Sequence, residues 1–195
     1  MYNIRDDPVV SHIPKSVLEH GMEIVMRSVQ PHEETLVFSF LVLAARMPEG
    51  SEPIQKALSE PPLNKYWLDW GRPGDLGIVA EDSTTGIPVA CAWLRLFTKE
   101  QAGASFFGER VPELAMSVAR EYRGKGIGTT TLRRLIEECR SQFPGIVLSV
   151  RNNNPAARLY KRLNFKLIPD SQMINRMGTE SFHMYLDLRS ELHGA

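Results

Sequence analysis

A glycine-rich stretch beside one arginine, Arg123-Gly124-Lys125-Gly126-Ile127-Gly128, has the residue types and spacing to hold a phosphate group. Its three glycines remove the Cβ atoms that would keep a ligand away from the backbone. An amphipathic helical pattern follows, so the backbone N–H groups of the stretch lie at a helix N-terminus, where the helix dipole favours anions. We therefore predict a phosphate-binding loop at this point of the chain.

Three phosphate-binding patterns can be compared with this loop. The Walker pattern, G-x-x-x-x-G-K-S/T, fails because Gly126 is followed by Ile127 rather than lysine. The dinucleotide pattern, G-x-G-x-x-G, fails at its third glycine, where Thr129 stands, and too many residues separate the preceding apolar run from the first glycine. A third pattern, Q/R-x-x-G-x-G/A, is met in full by Arg123, Gly126 and Gly128.

A second pattern, N-x-x-A-x-x-L-Y-x-x-x-G-F, follows a short apolar run at residues 145–150. Five positions match it: Asn153, Ala156, Leu159, Tyr160 and Phe165. Asn164 replaces the usual glycine, and asparagine is the residue that best tolerates a left-handed helix end after glycine. Asn154 followed by Pro155 indicates the start of the helix that carries this pattern.

With these two motifs in this order and spacing, the chain resembles the GNAT family of N-acetyltransferases over roughly residues 23 to 189. The resemblance implies an α+β fold, a mixed and mostly antiparallel sheet flanked by helices, in which the fourth and fifth strands splay apart. It further implies that acetyl-CoA is the co-substrate. The implied reaction moves the acetyl group of acetyl-CoA to a primary amine by direct transfer in a ternary complex.

The resemblance also implies which residues contact the coenzyme. In this family, backbone groups of the fourth strand hold the pantetheine arm, and the glycine-rich loop cradles the pyrophosphate. The corresponding residues of this chain, with two from the second motif, are Met116, Ser117, Val118, Arg123, Gly124, Lys125, Gly126, Ile127, Gly128, Thr129, Asn153 and Tyr160.

Two side chains are candidates for the catalytic proton transfers. An amine must lose a proton before it attacks a thioester, and the leaving thiolate can take one up. By resemblance, Tyr160 is the proton donor to the thiolate, because the family carries a tyrosine near the coenzyme sulfur at this position. Glu113, at the start of the fourth strand, is the candidate base, with Glu109 as a competitor. Many family members deprotonate the amine through water chains alone.

Two other functions remain open at this stage. A non-catalytic acyl-CoA-binding or regulatory domain would have the same fold, although Tyr160 beside an intact pyrophosphate loop favours an enzyme. A nucleotide-binding oxidoreductase would need a ribose-binding carboxylate after the next strand, whereas Val150 is followed by Arg151.

The sequence leaves the acceptor open among polyamines, aminoglycosides, protein N-termini and small amino acids. An acidic lining would favour a polyamine or an aminoglycoside, and four carboxylates are available for it: Glu49, Glu52, Glu60 and Asp69.

Composition is typical of one globular domain. Of 195 residues, 43% are hydrophobic and 24% charged, and the formal net charge is zero. No basic block indicates nucleic acid or a membrane as a partner, and the apolar run at residues 36–45 is too short to cross a bilayer. We expect residues 1–21 to be an N-terminal extension and residues 22–195 to be the N-acetyltransferase domain. A homodimer remains open.

Cysteine and histidine usage completes these expectations. Cys91 and Cys139 are predicted to be packed thiols in a reducing compartment, which favours the cytoplasm. No histidine or cysteine cluster has metal-ligand spacing, so no metal is expected.

The elements that must position these residues follow from periodicity and turn residues. We predict strands at residues 23–29, 76–81, 88–97, 113–118, 145–150, 165–168 and 181–188. Helices are predicted at residues 33–46, in broken form at 51–70, after the glycine-rich loop, and at 155–163. Residues 98–112 read as a loop. Specificity for the acceptor is expected from residues 33–70 and 169–180.

Overall fold

The computed structural model describes residues 23–45, 63–102, 105–175 and 178–189. The predictions for the N-terminal extension and for most of the broken helical region lie outside these residues. So do three of the four carboxylates considered for the acceptor side: Glu49, Glu52 and Glu60.

The described residues form one mixed sheet of eight strands. The strands are β1 (Ile24–Ser28), β2 (Leu76–Asp82), β3 (Pro88–Arg95), β4 (Glu113–Val118), β5 (Gly145–Arg151), β6 (Lys166–Leu167), β7 (Met173–Ile174) and β8 (Glu180–Asp187). Their order across the sheet is β1-β2-β3-β4-β5-β8-β6, and β7 also pairs with β8. All pairs are antiparallel except β4 with β5. The α+β class with a mostly antiparallel sheet is confirmed.

Four α-helices accompany this sheet in the described ranges: α1 (Glu34–Ala45), α2 (Lys99–Ala102), α3 (Ile127–Cys139) and α4 (Ala156–Arg162). The two long helices cover opposite faces because side chains alternate along the strands. Cys91 and Trp93 of β3 lie in one core cluster with α1, whereas Ala92 and Leu94 lie in another with α3. The strand that carries Glu113 is thus packed between two layers.

The parallel pair β4–β5 separates almost as soon as it forms. Glu113 pairs with Val147, and the Val147 N–H donates to the carbonyl of Pro112 at 3.1 Å. Beyond Glu113, the register that joins these two strands contains no further pair in the described sheet. The predicted splay between the fourth and fifth strands is therefore confirmed. Residues 114–118 of β4 are not paired with residues of β5 along the edge that faces it.

Residues 63–70 differ from the helix expected there, because they form only a short 3₁₀ turn, Asn64–Tyr66. The buried Arg95 side chain accounts for the difference. Its guanidinium donates hydrogen bonds to the carbonyls of Lys65, Leu68 and Asp69, and the Lys65 carbonyl is the one that the Asp69 N–H would bind in the expected helix. That N–H donates instead to Glu34 Oε1 at 2.6 Å. Asp69 also adopts a left-handed φ of 58°, which ends any helical course.

Two further differences flank the Glu113 strand. The predicted third strand ends at Arg95 rather than at residue 97, and α2 follows in a region expected to be loop. Thr98 and Gln101 form a reciprocal capping pair: Thr98 N–H donates to Gln101 Oε1 at 3.1 Å, and Gln101 N–H donates to Thr98 Oγ1 at 3.4 Å. This T-x-x-Q capping box starts a helix where apolar periodicity gave no signal.

Two local predictions hold. Asn164 has a left-handed φ of 65°, as its place at the helix end required. Cys91 and Cys139 are free and buried, and burial raises the pKa of both thiols, that of Cys139 to about 12. Both cysteines therefore behave as packing residues.

Candidate active site

Two cavities lie on either side of the opening between β4 and β5. The loop cavity, of about 470 Å³, is lined by the glycine-rich loop (residues 123–129, apart from Lys125). The Glu113 cavity, of about 360 Å³, is lined by Glu113 and by polar side chains from several loops. Four residues line both cavities, so the cavities adjoin at this point: Ala44, Met116, Asn154 and Tyr160.

The structure brings most of the predicted coenzyme-contacting residues together around the loop cavity. These are Met116, Ser117, Val118, Arg123, Gly124, Gly126, Ile127, Gly128, Thr129 and Tyr160. Two predicted residues lie outside its lining. The Lys125 ammonium lies 5.4 Å from the centre of the Tyr122 ring, and the exposed Asn153 is replaced in the lining by its neighbour Asn154.

The loop backbone is shaped as a phosphate cradle requires. Gly124 and Gly126 have φ values of 77° and 84°, in the left-handed region that glycine adopts without strain. A Cβ atom built on either glycine would meet nothing within 4 Å, so the space beside the loop is open. The Gly126 carbonyl accepts the first helical bonds, from the N–H groups of Thr129 and Thr130. The N–H groups that precede them have no partner within the helix, which suits a diphosphate.

Close packing and one side-chain hydrogen bond join this loop to β4, and a second side-chain hydrogen bond joins β4 to α1. A Cβ atom on Gly128 would lie 3.0 Å from Val118 Cγ2, so glycine lets α3 approach the strand closely. Arg123 Nε donates to the Val118 carbonyl at 2.9 Å, which ties the loop to the end of β4. Ser117 Oγ donates to the Phe40 carbonyl at 2.7 Å and so ties β4 to α1. The strand edge and the loop therefore form one continuous wall.

Tyr160 lies where the two cavities meet. It is carried by α4, is 7% exposed, and its ring lies 5.8 Å from that of Phe165. The start of this helix is held by Asn154, whose Oδ1 accepts from the Ala156 N–H at 3.0 Å, as the Asn-Pro sequence predicted. The tyrosine is therefore fixed by its helix and by ring packing, and it lines both cavities.

Glu113 is buried in the wall of its cavity and is already hydrogen-bonded. It is 3% exposed. Tyr66 Oη donates to Glu113 Oε1 at 2.6 Å, and Lys65 Nζ lies 3.4 Å from Oε2. Burial and the neighbouring Glu113 charge raise the pKa of Tyr66 well above 10, so its hydroxyl stays a donor at neutral pH. The competing candidate Glu109 is exposed and belongs to neither lining.

Lys65 is held in place from several sides. Its Nζ donates to the Gln101 carbonyl at 3.0 Å and lies 4.4 Å from the centre of the Phe97 ring. The ammonium is thus fixed between a carboxylate, a carbonyl and an aromatic face, and each of these stabilises its charge. In this arrangement the Lys65 ammonium forms an ion pair with Glu113 and is largely shielded from solvent.

Arg95 fixes the segment that supplies Lys65 and Tyr66. Its side chain is fully buried and binds Asp75 in a bidentate manner, with Nε–Oδ1 at 3.0 Å and Nη2–Oδ2 at 3.1 Å. Burial lowers the pKa of the guanidinium, and the Asp75 charge opposes that shift. With its three carbonyl partners, Arg95 makes five hydrogen bonds and holds residues 65–75 against the sheet.

A half-buried serine and a buried histidine form a pair at the wall of the Glu113 cavity. Ser105 lines the cavity, and its Oγ lies 3.0 Å from Nε2 of His183, a β8 residue that is 3% exposed. Burial lowers the pKa of His183 below 6.5, so the imidazole is neutral at pH 7.

Sequence reasoning missed several of these residues. Tyr66, Lys65, Ser105 and His183 belong to no motif in the sequence. The aromatic cluster around Tyr66 was the one available signal that residues 63–70 approach the site. No pattern indicated the serine–histidine pair, because its partners meet only in the folded sheet.

The described residues also bear on metal binding and on insertion into a membrane. No group of three or more histidine, cysteine, aspartate or glutamate side chains in this part of the chain could hold a metal ion. Nor does any helix within the described ranges combine the length and apolarity needed to span a bilayer.

Comparison with solved structures gives 334 matching chains. The yncA acetyltransferase of Salmonella typhimurium, with its cofactor acetyl-CoA, is 20% identical, with a TM-score of 0.61 and 85% of this chain and 94% of that one covered. A ribosomal-protein-alanine N-acetyltransferase from Brucella melitensis is 22% identical, with a TM-score of 0.61 and coverage of 84% and 99%. The Vibrio cholerae spermidine/spermine N-acetyltransferase SpeG is 17% identical, with a TM-score of 0.56 and coverage of 87% and 95%. At these low sequence identities, the similarity shows that this chain shares the fold of these three proteins.

Comparison at the sequence level identifies the family. No curated protein sequence matches this chain significantly. The family model described as Acetyltransferase (GNAT) family matches residues 42–165, which is more than half of the chain. That match spans the glycine-rich loop, β4, β5 and the Tyr160 helix. The chain therefore belongs to the GNAT family of acetyltransferases.

Proposed function

We propose that this protein is an acetyl-CoA-dependent N-acetyltransferase that transfers the acetyl group directly to a primary amine in a ternary complex. One observation carries the proposal: a phosphate-cradling cavity and a cavity with a carboxylate adjoin at Tyr160 and Met116. A donor and an acceptor bound on the two sides would meet there without a covalent enzyme intermediate. Holding two reactants in this way lowers the entropic part of the barrier.

The loop cavity is the proposed coenzyme site. Backbone N–H groups of residues 124–128 would hold the pyrophosphate, and the unpaired edge of β4 at residues 116–118 would bond the pantetheine arm as an additional strand would. When bound, acetyl-CoA supplies a thioester whose carbonyl carbon accepts the amine and whose thiolate leaves. The open space beside Gly124 and Gly126 supports this fit, because side chains there would occupy the approach to the backbone.

Tyr160 is the proposed proton donor to the thiolate. It is largely buried at the junction, and a phenol near neutral pH is almost entirely protonated, so it can donate. A positioned acid of this kind contributes about a hundredfold or more to the rate.

Glu113 is the proposed acceptor of the first proton of the substrate ammonium. Its two oxygens each have one donor, Tyr66 and Lys65, and a carboxylate keeps further lone pairs for a third hydrogen bond. A protonated amine in the cavity would therefore bind to Glu113 and transfer a proton to its carboxylate while the nitrogen lies next to the acetyl group. The same carboxylate thus positions the acceptor and prepares it.

The acceptor is proposed to be a primary amine of modest charge. In the described part of the lining, Glu113 is the carboxylate and Lys65 lies against it, while Arg151 adds a second cation. Met173 and Ile174, exposed by 37% and 70%, give the rim an apolar edge. Polycationic acceptors would meet little compensating charge from these residues.

The test is amine-dependent release of free thiol from acetyl-CoA across a panel of amines, together with calorimetry of coenzyme binding. An N-acetyltransferase binds acetyl-CoA and releases thiol only when a suitable amine is present. Coenzyme binding without transfer to any amine of the panel would instead favour a regulatory acyl-CoA-binding domain. Failure of both measurements would contradict the proposed coenzyme site itself.

A further inference from the structure

His183 is a buried titratable residue beside the Glu113 cavity, and no step above uses it. Its Nε2 lies 3.0 Å from Ser105 Oγ, and Ser105 lines the cavity together with Glu113 and Tyr160. A hydroxyl group therefore stands between a buried imidazole and the space proposed for the acceptor amine. An amine bound in the cavity could pass a proton to the imidazole through the observed 3.0 Å hydrogen bond and a second one that it would make to Ser105 Oγ.

The backbone of His183 is held by hydrogen bonds and by its place in β8. Its N–H donates to Ser171 Oγ at 3.1 Å, and its carbonyl accepts from the Ile168 N–H at 3.0 Å. Across the sheet it pairs with Ser149 of β5, another residue of the cavity lining. The imidazole thus belongs to the rigid sheet.

The charges around His183 leave it neutral and able to accept a proton. Burial is the largest influence and lowers its pKa. Glu113 opposes this by favouring the imidazolium, and Lys65 adds to it by disfavouring the imidazolium. The remaining neighbours from the packed elements, Ser105, Ser149 and Ser171, are uncharged.

The proposed reaction needs two proton acceptors for the amine nitrogen. A primary ammonium loses one proton to become the nucleophile, and the nitrogen loses a second after its bond to the acetyl carbon has formed. The thiolate takes up one proton, from Tyr160 in the proposed mechanism, so the net reaction releases one proton. Glu113 accounts for the first of the two protons lost by nitrogen.

We infer that Ser105 and His183 form a relay that takes the second proton. The amine nitrogen gives its proton to Ser105 Oγ as the Ser105 hydroxyl proton passes to His183 Nε2. Ser105 ends as a neutral hydroxyl and His183 as an imidazolium, which later returns its proton to solvent. The relay requires the neutral tautomer with the proton on Nδ1, so that Nε2 accepts from Ser105. This inference rests on the N-acetyltransferase function proposed above.

The first test uses three variants and an amine that the wild-type protein acetylates. Ser105→Ala removes the hydroxyl, Ser105→Thr keeps one, and His183→Gln removes the titrating ring. The alanine and glutamine variants should lose about a hundredfold in kcat, with the KM for acetyl-CoA little changed, and threonine should restore most of the loss. Ser171→Ala is the matched control: the Ser171 hydroxyl accepts from the His183 N–H and donates to the Ile168 carbonyl but does not line the cavity, so kcat should stay near the wild-type value.

The pH dependence separates a relay from a packing role. Wild-type kcat should fall as pH drops through the lowered His183 pKa, below 6.5, because the imidazolium cannot accept a proton. Ser105→Ala and His183→Gln should lack this acid limb. If Ser105→Ala and His183→Gln are slower but show the same fall of kcat at acid pH as the wild type, the two residues only pack and the relay is overturned. A kcat of Ser105→Ala equal to that of the wild type would also overturn it.

A nitrogen-15 NMR measurement tests the relay without turnover. At pH 7.5 in the protein without coenzyme, Nε2 of His183 should show the shift of an unprotonated, hydrogen-bond-accepting nitrogen. A protonated Nε2 in the neutral ring would overturn the relay even if the enzyme were active. If the wild-type protein acetylates no amine, the proposed function fails, and the relay fails with it whatever the tautomer.

Discussion

The Tyr66 hydroxyl donates a 2.6 Å hydrogen bond to the Glu113 carboxylate, across a separation of 47 residues in the chain. This contact joins the 3₁₀ turn Asn64–Tyr66 to the first residue of the splayed strand β4. Because Lys65 approaches the other carboxylate oxygen, one short segment supplies both donors to Glu113. The site thus depends on how residues 65–75 are held, and the first prediction follows from that dependence.

Tyr66→Phe should lower kcat/KM for the acceptor by about tenfold or more, because a hydrogen bond to a charged group is worth about 1.5–3 kcal/mol. The KM for acetyl-CoA should change little, since Tyr66 does not line the loop cavity. A double-mutant cycle gives the control: in a Glu113→Gln background the Tyr66 change should have a much smaller effect. Equal losses in both backgrounds would mean that Tyr66 acts independently of Glu113.

Gly126→Val should weaken coenzyme binding at least tenfold, or about 1.4 kcal/mol, measured by calorimetry. Its φ of 84° is unfavourable for valine, and the branched methyl groups would occupy the open space beside the loop. Gly86→Val is the matched control: Gly86 has a φ of 68° and open space, but it lies in the β2–β3 turn, outside both cavities. Both variants should lose similar stability, and only the first should lose affinity.

Tyr160→Phe should lower kcat by about a hundredfold with little change in the KM for acetyl-CoA, because the ring keeps its packing and only the proton donor is lost. Pre-steady-state kinetics must establish that chemistry limits the rate. Tyr185→Phe, at a tyrosine outside both cavities, should leave kcat unchanged. Near-normal turnover of Tyr160→Phe would remove this residue from the mechanism.

Arg95→Met should lower the free energy of unfolding by about 3–5 kcal/mol, because it leaves the buried Asp75 charge without its partner. Chemical denaturation measures this loss. Arg134→Met is the comparison, since the Arg134 side chain is 57% exposed in its pair with Glu138, and surface substitutions usually stay within about 0.5 kcal/mol. Similar losses in the two variants would contradict the assigned role of Arg95.

His183 should make stability depend on pH in the acid range. Its folded pKa lies below the unfolded value of 6.5, so the unfolded chain binds more protons between these two values. The free energy of unfolding should therefore fall as pH drops from 6.5 through the folded pKa, and it should gain nothing further from this group above 6.5. Urea titrations of His183→Gln should show a flatter dependence in this window than the wild type. An identical dependence in both proteins would contradict the lowered pKa.

Local sequence determined the glycine-rich loop, the Asn154 cap and the left-handed Asn164, because each of these depends on backbone freedom or hydrogen bonds within a few residues. Periodicity also placed most strands and the two long helices within a few residues of their observed bounds. Through the family resemblance, the two motifs also implied the splayed strands, a tyrosine near the coenzyme sulfur at position 160 and Glu113 at the start of the fourth strand.

Only the tertiary structure decided what surrounds Glu113. Tyr66 and Glu113 are 47 residues apart, and Ser105 and His183 are 78 residues apart, so neither contact leaves a local pattern. The prediction of a helix at residues 63–70 was wrong because distant side chains take both partners of one of its hydrogen bonds: Arg95 binds the Lys65 carbonyl, and Glu34 accepts from the Asp69 N–H. Backbone conformation is set by near neighbours, whereas the partners of a buried charge are set by whichever polar groups the packed sheet brings within reach.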